Sequence, residues 1–257
     1  MYDKNELREV ADLLLDTAAA LMGAGSHTSR VVKCVSRMAQ SFGYDIFITI
    51  FQKNMTMMVR KEGQVESITL IRSTKHMALN FYVVSELSSL SWHIHDDDLT
   101  IEQARNKFND IMERPRLPKW IVTLLVAFAN SAFCGLFQGD IYSCLIVFFS
   151  TFVGFSVRQK LMGLRINHAV IFAITAMVSS FIAGQALVFG VGSTPNIAVA
   201  TSVLFLIPGV PLINSLMDLM EGHVLTGFSR FINATMLIIG ISIGFLATML
   251  ILGVEKF

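Results

Sequence analysis

Hydrophobic positions in the first part of the chain change from a helical period to a strand period. Apolar residues recur at helical spacing from Leu7 to Met22 and from Val31 to Phe42, and a glycine follows each stretch. From Tyr44 to Ile71 they recur in steps of two around a Glu62-Gly63 turn. The pattern predicts a helical hairpin followed by a small antiparallel sheet.

Helical spacing returns after the predicted sheet. One stretch runs from about Val83 to Trp92, and another follows Thr100, where Thr100 and Gln103 have the spacing of a capping box. We also place Ser26 as the N-cap of the second helix, because a serine hydroxyl accepts hydrogen bonds from free backbone N–H groups. These elements predict an α+β domain over residues 1–118, with helices layered on a sheet.

Long apolar runs fill the rest of the chain. Five segments approach the roughly 20 residues that cross a bilayer core. They lie at about residues 120–137, 141–157, 166–188, 197–217 and 231–252. The sequence therefore predicts an α+β cytoplasmic domain followed, over residues 119–257, by an α-helical multi-pass membrane domain of about five spans.

Charged side chains support this division and give it an orientation. Of the 39 Lys, Arg, Asp and Glu residues, 29 precede residue 119, and the N-terminal stretch lacks the apolar core of a signal peptide. Basic residues near the spans gather on one side of the predicted membrane domain, whereas Lys256 lies at the far end: Arg114, Arg116, Lys119, Arg158, Lys160, Arg165 and Arg230. The positive-inside rule predicts a cytoplasmic N-terminus and a periplasmic or external C-terminus.

Composition and motifs argue against several functions. The formal net charge is +1 and no long basic run occurs, so we predict no nucleic-acid partner. The chain has no phosphate-binding P-loop, and its three cysteines lack the spacing of a zinc or redox motif. We therefore predict no enzyme activity, no cofactor and no metal. Five spans are few for a transporter working alone, so we expect a partner subunit or self-association within the lipid.

One short segment, His93 to Asp98, gathers two histidines and three aspartates that metal ions bind. Two interpretations stay open. The segment is either a solvated loop whose acidic residues precede the helix after Thr100, or the metal site of a membrane-anchored enzyme. A sensor without a transport pathway is a further alternative.

The fourth apolar segment carries the strongest chemical signal. Pro208 and Pro211 remove two backbone donors three residues apart, so we predict two half-helices. Broken helices in membranes line protein-walled cavities, and transporters use the positive N-terminus of a half-helix to hold anions. We therefore predict a substrate pathway formed by Pro208, Gly209, Pro211, Asn214, Ser215, Asp218, Glu221, His223 and Arg230.

Simpler interpretations compete with this pathway. The break is alternatively a proline kink followed by an ordinary loop, in which Asp218 and Arg230 pair with each other or meet water. Arg158 is either a candidate for binding a substrate carboxylate or a plain anchor at the cytoplasmic side. Asn130 either lines the pathway or joins helices.

Several of these segments together resemble the threonine/serine exporter (ThrE) family. The resemblance runs from about residue 7 to residue 250, and its specific part is the block from Pro208 to Arg230, after Gly23-Ala24-Gly25-Ser26 and Arg116-Leu117-Pro118-Lys119-Trp120. Fused members of that family have about ten spans, so a chain of five resembles the larger subunit of the split form.

The resemblance also implies a function and a partner. It implies an inner-membrane secondary exporter that works with a smaller, YjjB-like membrane subunit. For the split form it implies succinate or a related dicarboxylate as substrate, and for the fused form threonine or serine. Both substrate classes carry a carboxylate, so a half-helix N-terminus does not distinguish them.

Overall fold

A computed structural model describes residues 4–51, 54–74, 79–164 and 166–253. Arg165 and Lys256, which entered the orientation argument, lie outside these residues. The chain is mostly helical, with one three-stranded sheet near its N-terminus. The helices are α1 (Lys4–Gly23), α2 (Thr28–Ser41), α3 (Phe81–Asp96), α4 (Ile101–Glu113), α5 (Lys119–Leu136), α6 (Ile141–Leu161), α7 (His168–Phe189), α8 (Pro195–Thr201), α9 (Gly209–Met220) and α10 (Val224–Leu252), and a 3₁₀ turn covers Leu204–Leu206.

The chain divides into two compact units. The first takes in the chain up to Pro115 together with Val210–Ile232, and the second takes in Arg116–Gly209 and the chain from Asn233 onward. Nearly all of helix α9 and the first turns of α10 therefore belong to the N-terminal unit. The cytoplasmic location of this unit stays a prediction.

The sheet of the first unit is antiparallel with the order β1-β2-β3. Its strands are β1 (Tyr44–Ile50), β2 (Asn54–Lys61) and β3 (Ser67–Ser73), and Ile46 lies opposite Val59. Met55, Met57 and Val59 all point into the core, because every second side chain of a strand lies on the same face of the sheet. The small antiparallel sheet predicted from the period of two is confirmed.

Helix α1 forms the centre of the first unit. Its residues Leu13, Leu14 and Leu15 are all fully buried, so the helix is covered on more than one side. The core also includes Met38 from α2 and Leu87 from α3. Burial of such large apolar side chains stabilises the fold by about 1.5–3 kcal/mol each.

Helix ends in this unit test two of the capping predictions. The capping box of α4 is confirmed, since the Gln103 backbone N–H donates to Thr100 Oγ1 at 3.3 Å and the Thr100 N–H to Gln103 Oε1 at 3.0 Å. The prediction for Ser26 is wrong. The N-cap of α2 is His27, and the Ser26 hydroxyl donates to the His27 carbonyl instead.

The second unit consists of helices that are long and apolar. Four described helices are long and apolar enough to cross a membrane, namely α5, α6, α7 and α10, and α8 with α9 make a fifth if the interrupted pair forms one span. Helix α10 begins at Val224 rather than near residue 231, because polar residues in its first turns hid its start from the apolar pattern.

Glycines allow close helix packing in the second unit. A Cβ at Gly240 would clash with the Ala169 carbonyl oxygen, and one at Gly244 would clash with that of Ala173. Small residues at such positions let helix backbones approach in a membrane. These two glycines therefore fix the contact between α7 and α10.

Candidate functional site

The predicted break in the fourth apolar segment is confirmed. Ile207 and Pro208 are not helical, and α9 begins at Gly209. Pro211 is the third residue of α9, where the backbone N–H would have no partner inside the helix. Pro211 therefore fits into the first turn of α9 without disturbing the helix.

Helix α9 ends in a turn that returns the chain toward it. Gly222 has φ +85°, and the backbone N–H of His223 donates to the Asp218 carbonyl at 2.8 Å. This pattern of a left-handed glycine and a bond from the following residue is a Schellman motif. His223 thus acts through its backbone at this turn.

The first turns of α10 pack tightly on α9. A Cβ at Gly227 would lie 2.8 Å from the Ser215 carbonyl oxygen and 2.9 Å from Leu219 Cγ. The buried Ser215 hydroxyl donates to the Leu212 carbonyl within α9, at 2.6 Å. Because Gly227 has no side chain, α9 and α10 can pack closely enough for their polar side chains to meet.

Asp218 is fully buried and caps a distant helix. Its Oδ1 accepts a hydrogen bond from the backbone N–H of Thr28, the first residue of α2, at 2.7 Å. Its Oδ2 lies 3.1 Å from Arg230 Nη1. A carboxylate suits a helix N-terminus, where N–H groups are free and the helix dipole is positive. Asp218 therefore replaces the side-chain cap that His27 does not provide.

Arg230 and Asn214 bind backbone carbonyls of the loop between α1 and α2. Arg230 Nη2 donates to the Ser26 carbonyl at 3.1 Å, and Asn214 Nδ2 donates to the Gly25 carbonyl at 2.7 Å. Gly25 has φ +99°, a conformation that favours glycine. Two of the loop's carbonyl oxygens are thus bound by side chains from α9 and α10.

Glu221 lies beside the same helix start. Its Oε2 is 3.4 Å from His27 Nδ1, and hydrogen bonding from Ser29, followed by the nearby His27, holds the pKa of Glu221 below its usual range. We call Asn214, Asp218, Glu221 and Arg230 the α2 clamp. Its four side chains bind the start of α2 and the loop before it.

Asp218 and Arg230 form an ion pair within the α2 clamp. The pair is largely buried, since the side chain of Asp218 is 0% and that of Arg230 12% exposed. Breaking a buried ion pair by removing one partner costs about 3–5 kcal/mol. The pair and its backbone contacts therefore form a tightly coupled unit.

One group in the clamp has the donor types of a cation site. Ligand atoms of His27, Asp218 and Glu221 all lie within 4.8 Å of one another. The Arg230 guanidinium already neutralises Asp218, and its positive charge repels a metal ion at the same place. The geometry therefore favours the Arg230 guanidinium, rather than a metal ion, as the cation beside Asp218.

Asn130 joins three helices of the second unit. It is 2% exposed, and its Nδ2 donates to Thr151 Oγ1 at 2.7 Å and to the Thr201 carbonyl at 3.1 Å. Thr201 is the last residue of α8, so Asn130 binds a carbonyl left free by the helix end. This contact explains an amide in an apolar segment without any role in a pathway.

Arg158 lies on aromatic rings near the end of α6. Its guanidinium carbon is 4.6 Å from the centre of the Phe172 ring and 5.7 Å from that of Phe155. Among the described residues, no carboxylate lies within ion-pair distance of it. Cation–π contact holds the side chain in one place while its charge has no counter-ion from the described part of the chain.

The histidines of the His93 to Asp98 segment are exposed. Both lie in the last turn of α3, and His95 Nδ1 is 3.3 Å from Ser41 Oγ. The group of three possible metal ligands found among the described residues consists of His27, Asp218 and Glu221, so it includes neither of these two histidines. Helix α3 therefore includes the first part of this segment, up to Asp96, which the loop interpretation had placed outside a helix.

Sequence reasoning named the side chains of the clamp but missed what they bind. Thr28, His27 and Ser26 were not predicted as partners, and neither was Thr226, whose hydroxyl donates to the Ile50 carbonyl at 2.8 Å. The roles of the predicted residues in transport stay predictions.

Comparisons with known proteins identify the family. The family model described as "Putative threonine/serine exporter" (ThrE) matches residues 12–252. This chain belongs to the ThrE family. Together with the four to five apolar helices of its described residues, membership of ThrE makes it a multi-pass membrane protein.

Three relatives are informative within the ThrE family. The chain is 31% identical over 244 residues to the "Probable succinate transporter subunit YjjP" of Klebsiella aerogenes, which covers 94% of this chain and 93% of that protein. It is 29% identical over 239 residues to the protein of the same name from Escherichia coli, covering 92% of each. It is 25% identical over 253 residues to the "Probable threonine/serine exporter" of Mycobacterium tuberculosis, covering 95% of this chain and 46% of that protein. No solved structure matches the chain significantly.

Proposed function

We propose that this chain is one subunit of an inner-membrane secondary exporter of small carboxylates, with succinate or a related dicarboxylate as substrate. One observation carries the proposal. The chain matches two relatives named as probable succinate transporter subunits over nearly their whole length, but only 46% of the relative named "Probable threonine/serine exporter". This coverage supports the role of a transporter subunit.

The rest of the exporter comes from a second, smaller membrane subunit of the YjjB type. The four to five apolar helices of this chain are about half of the ten expected for a fused exporter. The positive-inside rule supports a cytoplasmic N-terminus. The first unit would then lie in the cytoplasm, from which an exporter takes its substrate. The proposed activity needs no enzyme chemistry from this chain.

The α2 clamp is the element through which we propose that transport is controlled. Loss of the contacts that Asp218 makes with the Thr28 N–H and with Arg230 would weaken the clamp. The start of α2 and its preceding loop would then be released from α9 and α10. Proton coupling through Asp218 or Glu221 would in this way change the position of α2 against α9, the helix that follows the break.

Export by living cells tests the proposal. Cells that express this chain and its smaller partner should release more succinate than cells lacking either gene, and Asp218→Asn should abolish the difference. Unchanged efflux by Asp218→Asn at normal membrane abundance would remove Asp218 from the mechanism. If Pro208→Ala and Asn214→Ala are also silent, the sensor interpretation replaces the exporter.

A threonine/serine exporter is the second candidate function. The family description and the relative from Mycobacterium tuberculosis favour it. Measuring succinate, threonine and serine in the same efflux experiment separates the two. Release of threonine or serine without succinate would select the second candidate.

A further inference from the structure

Beside the α2 clamp, the first unit has a cavity of about 610 Å³ between α2 and α3. Its lining comes from two described helices and the residue before α2. The lining residues are His27, Arg30, Lys33, Cys34, Arg37, Phe81, Val84, Ser85, Ser88 and Trp92. None of them is Asp or Glu, so the cavity is positively charged.

The positive charge comes from one face of α2. Arg30, Lys33 and Arg37 follow at spacings of three and four residues, which places them on one side of the helix. They extend over about 10 Å of its length. Like charges at this spacing repel each other and destabilise an isolated helix. An anion bound between them would reduce this repulsion.

Three arginines elsewhere in the same unit have acidic partners. Their N···O distances to aspartates are 2.8–3.2 Å, and these residues are Arg60, Arg72 and Arg105. Within the described ranges, no such ion pair involves the three basic residues of α2. Glu221 acts on Lys33 through its charge, but its close contacts are with Ser29 and His27. The cavity thus keeps an excess of positive charge.

Contacts with α3 hold part of this charge in position. Arg37 Nη1 donates to Ser91 Oγ at 2.6 Å, and the Arg37 guanidinium carbon lies 3.5 Å from the centre of the Trp92 ring. Ser85 and Ser88 place further hydroxyl groups at the wall. A side chain held in this way loses less conformational entropy when a ligand binds.

We propose that this cavity binds a small organic dianion, and that the dianion is the exported dicarboxylate. The inference rests on the proposed function for the identity of the ligand and on the cavity for its charge. Two carboxylates of one ligand contact two neighbouring basic residues, while the Ser85 hydroxyl donates to a remaining oxygen. The first unit thereby binds substrate next to the clamp that contacts the same helix, α2.

Binding to the purified full chain in detergent tests this site. Calorimetric titration with succinate should show saturable binding that is at least about tenfold tighter than binding of acetate or threonine. Arg30→Gln combined with Lys33→Gln should weaken succinate binding at least about tenfold, because two charges are lost. Lys107→Gln, a matched change of an exposed lysine on α4, should leave it unchanged.

Charge-retaining changes separate a binding role from a folding role. Arg30→Lys combined with Lys33→Arg should keep most of the affinity for succinate. Equal binding of succinate and acetate, full affinity in the Gln variant, or tighter binding of inorganic phosphate than of succinate would each overturn the proposal. Efflux measured in parallel keeps the two proposals distinct. Succinate export without binding here contradicts only the site, and binding without export contradicts only the exporter.

Discussion

Asp218→Asn is the sharpest test of how the first unit holds together. The change removes one negative charge from a fully buried position and keeps the size of the side chain. The amide that replaces the carboxylate would still accept the Thr28 N–H through its carbonyl oxygen. Arg230, whose side chain is 12% exposed, would lose the carboxylate 3.1 Å away. The variant therefore leaves a nearly buried positive charge without its partner.

The expected loss follows from this geometry. Removing one partner of a buried ion pair costs about 3–5 kcal/mol of unfolding free energy. Because the hydrogen bond from the Thr28 N–H remains, we expect a loss of about 3 kcal/mol for this variant. For a unit of this size, that loss lowers the midpoint of thermal unfolding by about 10 °C. Asp218→Asn combined with Arg230→Gln should recover at least half of it, because no uncompensated charge then remains.

Tryptophan fluorescence of the full chain in detergent measures this transition, since Trp92 lies in α3 of the same unit. Asp110→Asn is the matched control, because Asp110 is an exposed aspartate on α4. The control should unfold at the temperature of the unchanged protein. If Asp218→Asn unfolds within about 2 °C of the unchanged protein, the pair does not stabilise the clamp.

Three further predictions concern other contacts. Gly227→Ala should lower stability by about 1–3 kcal/mol, measured as a lower unfolding midpoint, since its Cβ would meet the Ser215 carbonyl; Gly43→Ala, with open space around it, tests backbone strain alone. Asn130→Leu should cost only about 1 kcal/mol in the same assay, and a loss above about 3 kcal/mol would contradict a simple helix-joining role. Hydrogen bonds from Ser143 and Ser193 hold the pKa of Asp140 well below its usual range, so its contribution is present above about pH 4 and is lost as the pH falls further. Asp140→Asn should therefore flatten the loss of thermal stability in acid, and an unchanged acid profile would refute the assignment.

The elements that the sequence predicted correctly depend on local chemistry. Pro208 and Pro211 made a break visible from one residue type. Helix α8 already ends at Thr201, and a 3₁₀ turn lies between it and Pro208. The capping box at Thr100 and the alternation along β2 likewise involve neighbours within a few positions. The start of α10 was missed because Thr226 and Arg230 break the apolar pattern, although their polar groups are bonded in the fold.

The candidate site shows the limit of local patterns. Asp218 and Arg230 stood out because charges are rare in apolar sequence, and this much the sequence determined by itself. That Asp218 caps Thr28, 190 residues away along the chain, was decided only by the tertiary structure. Short-range sterics and hydrogen bonding set where helices and strands begin and end. Which buried donor meets which distant acceptor depends on how all the elements pack together, and no local pattern records that.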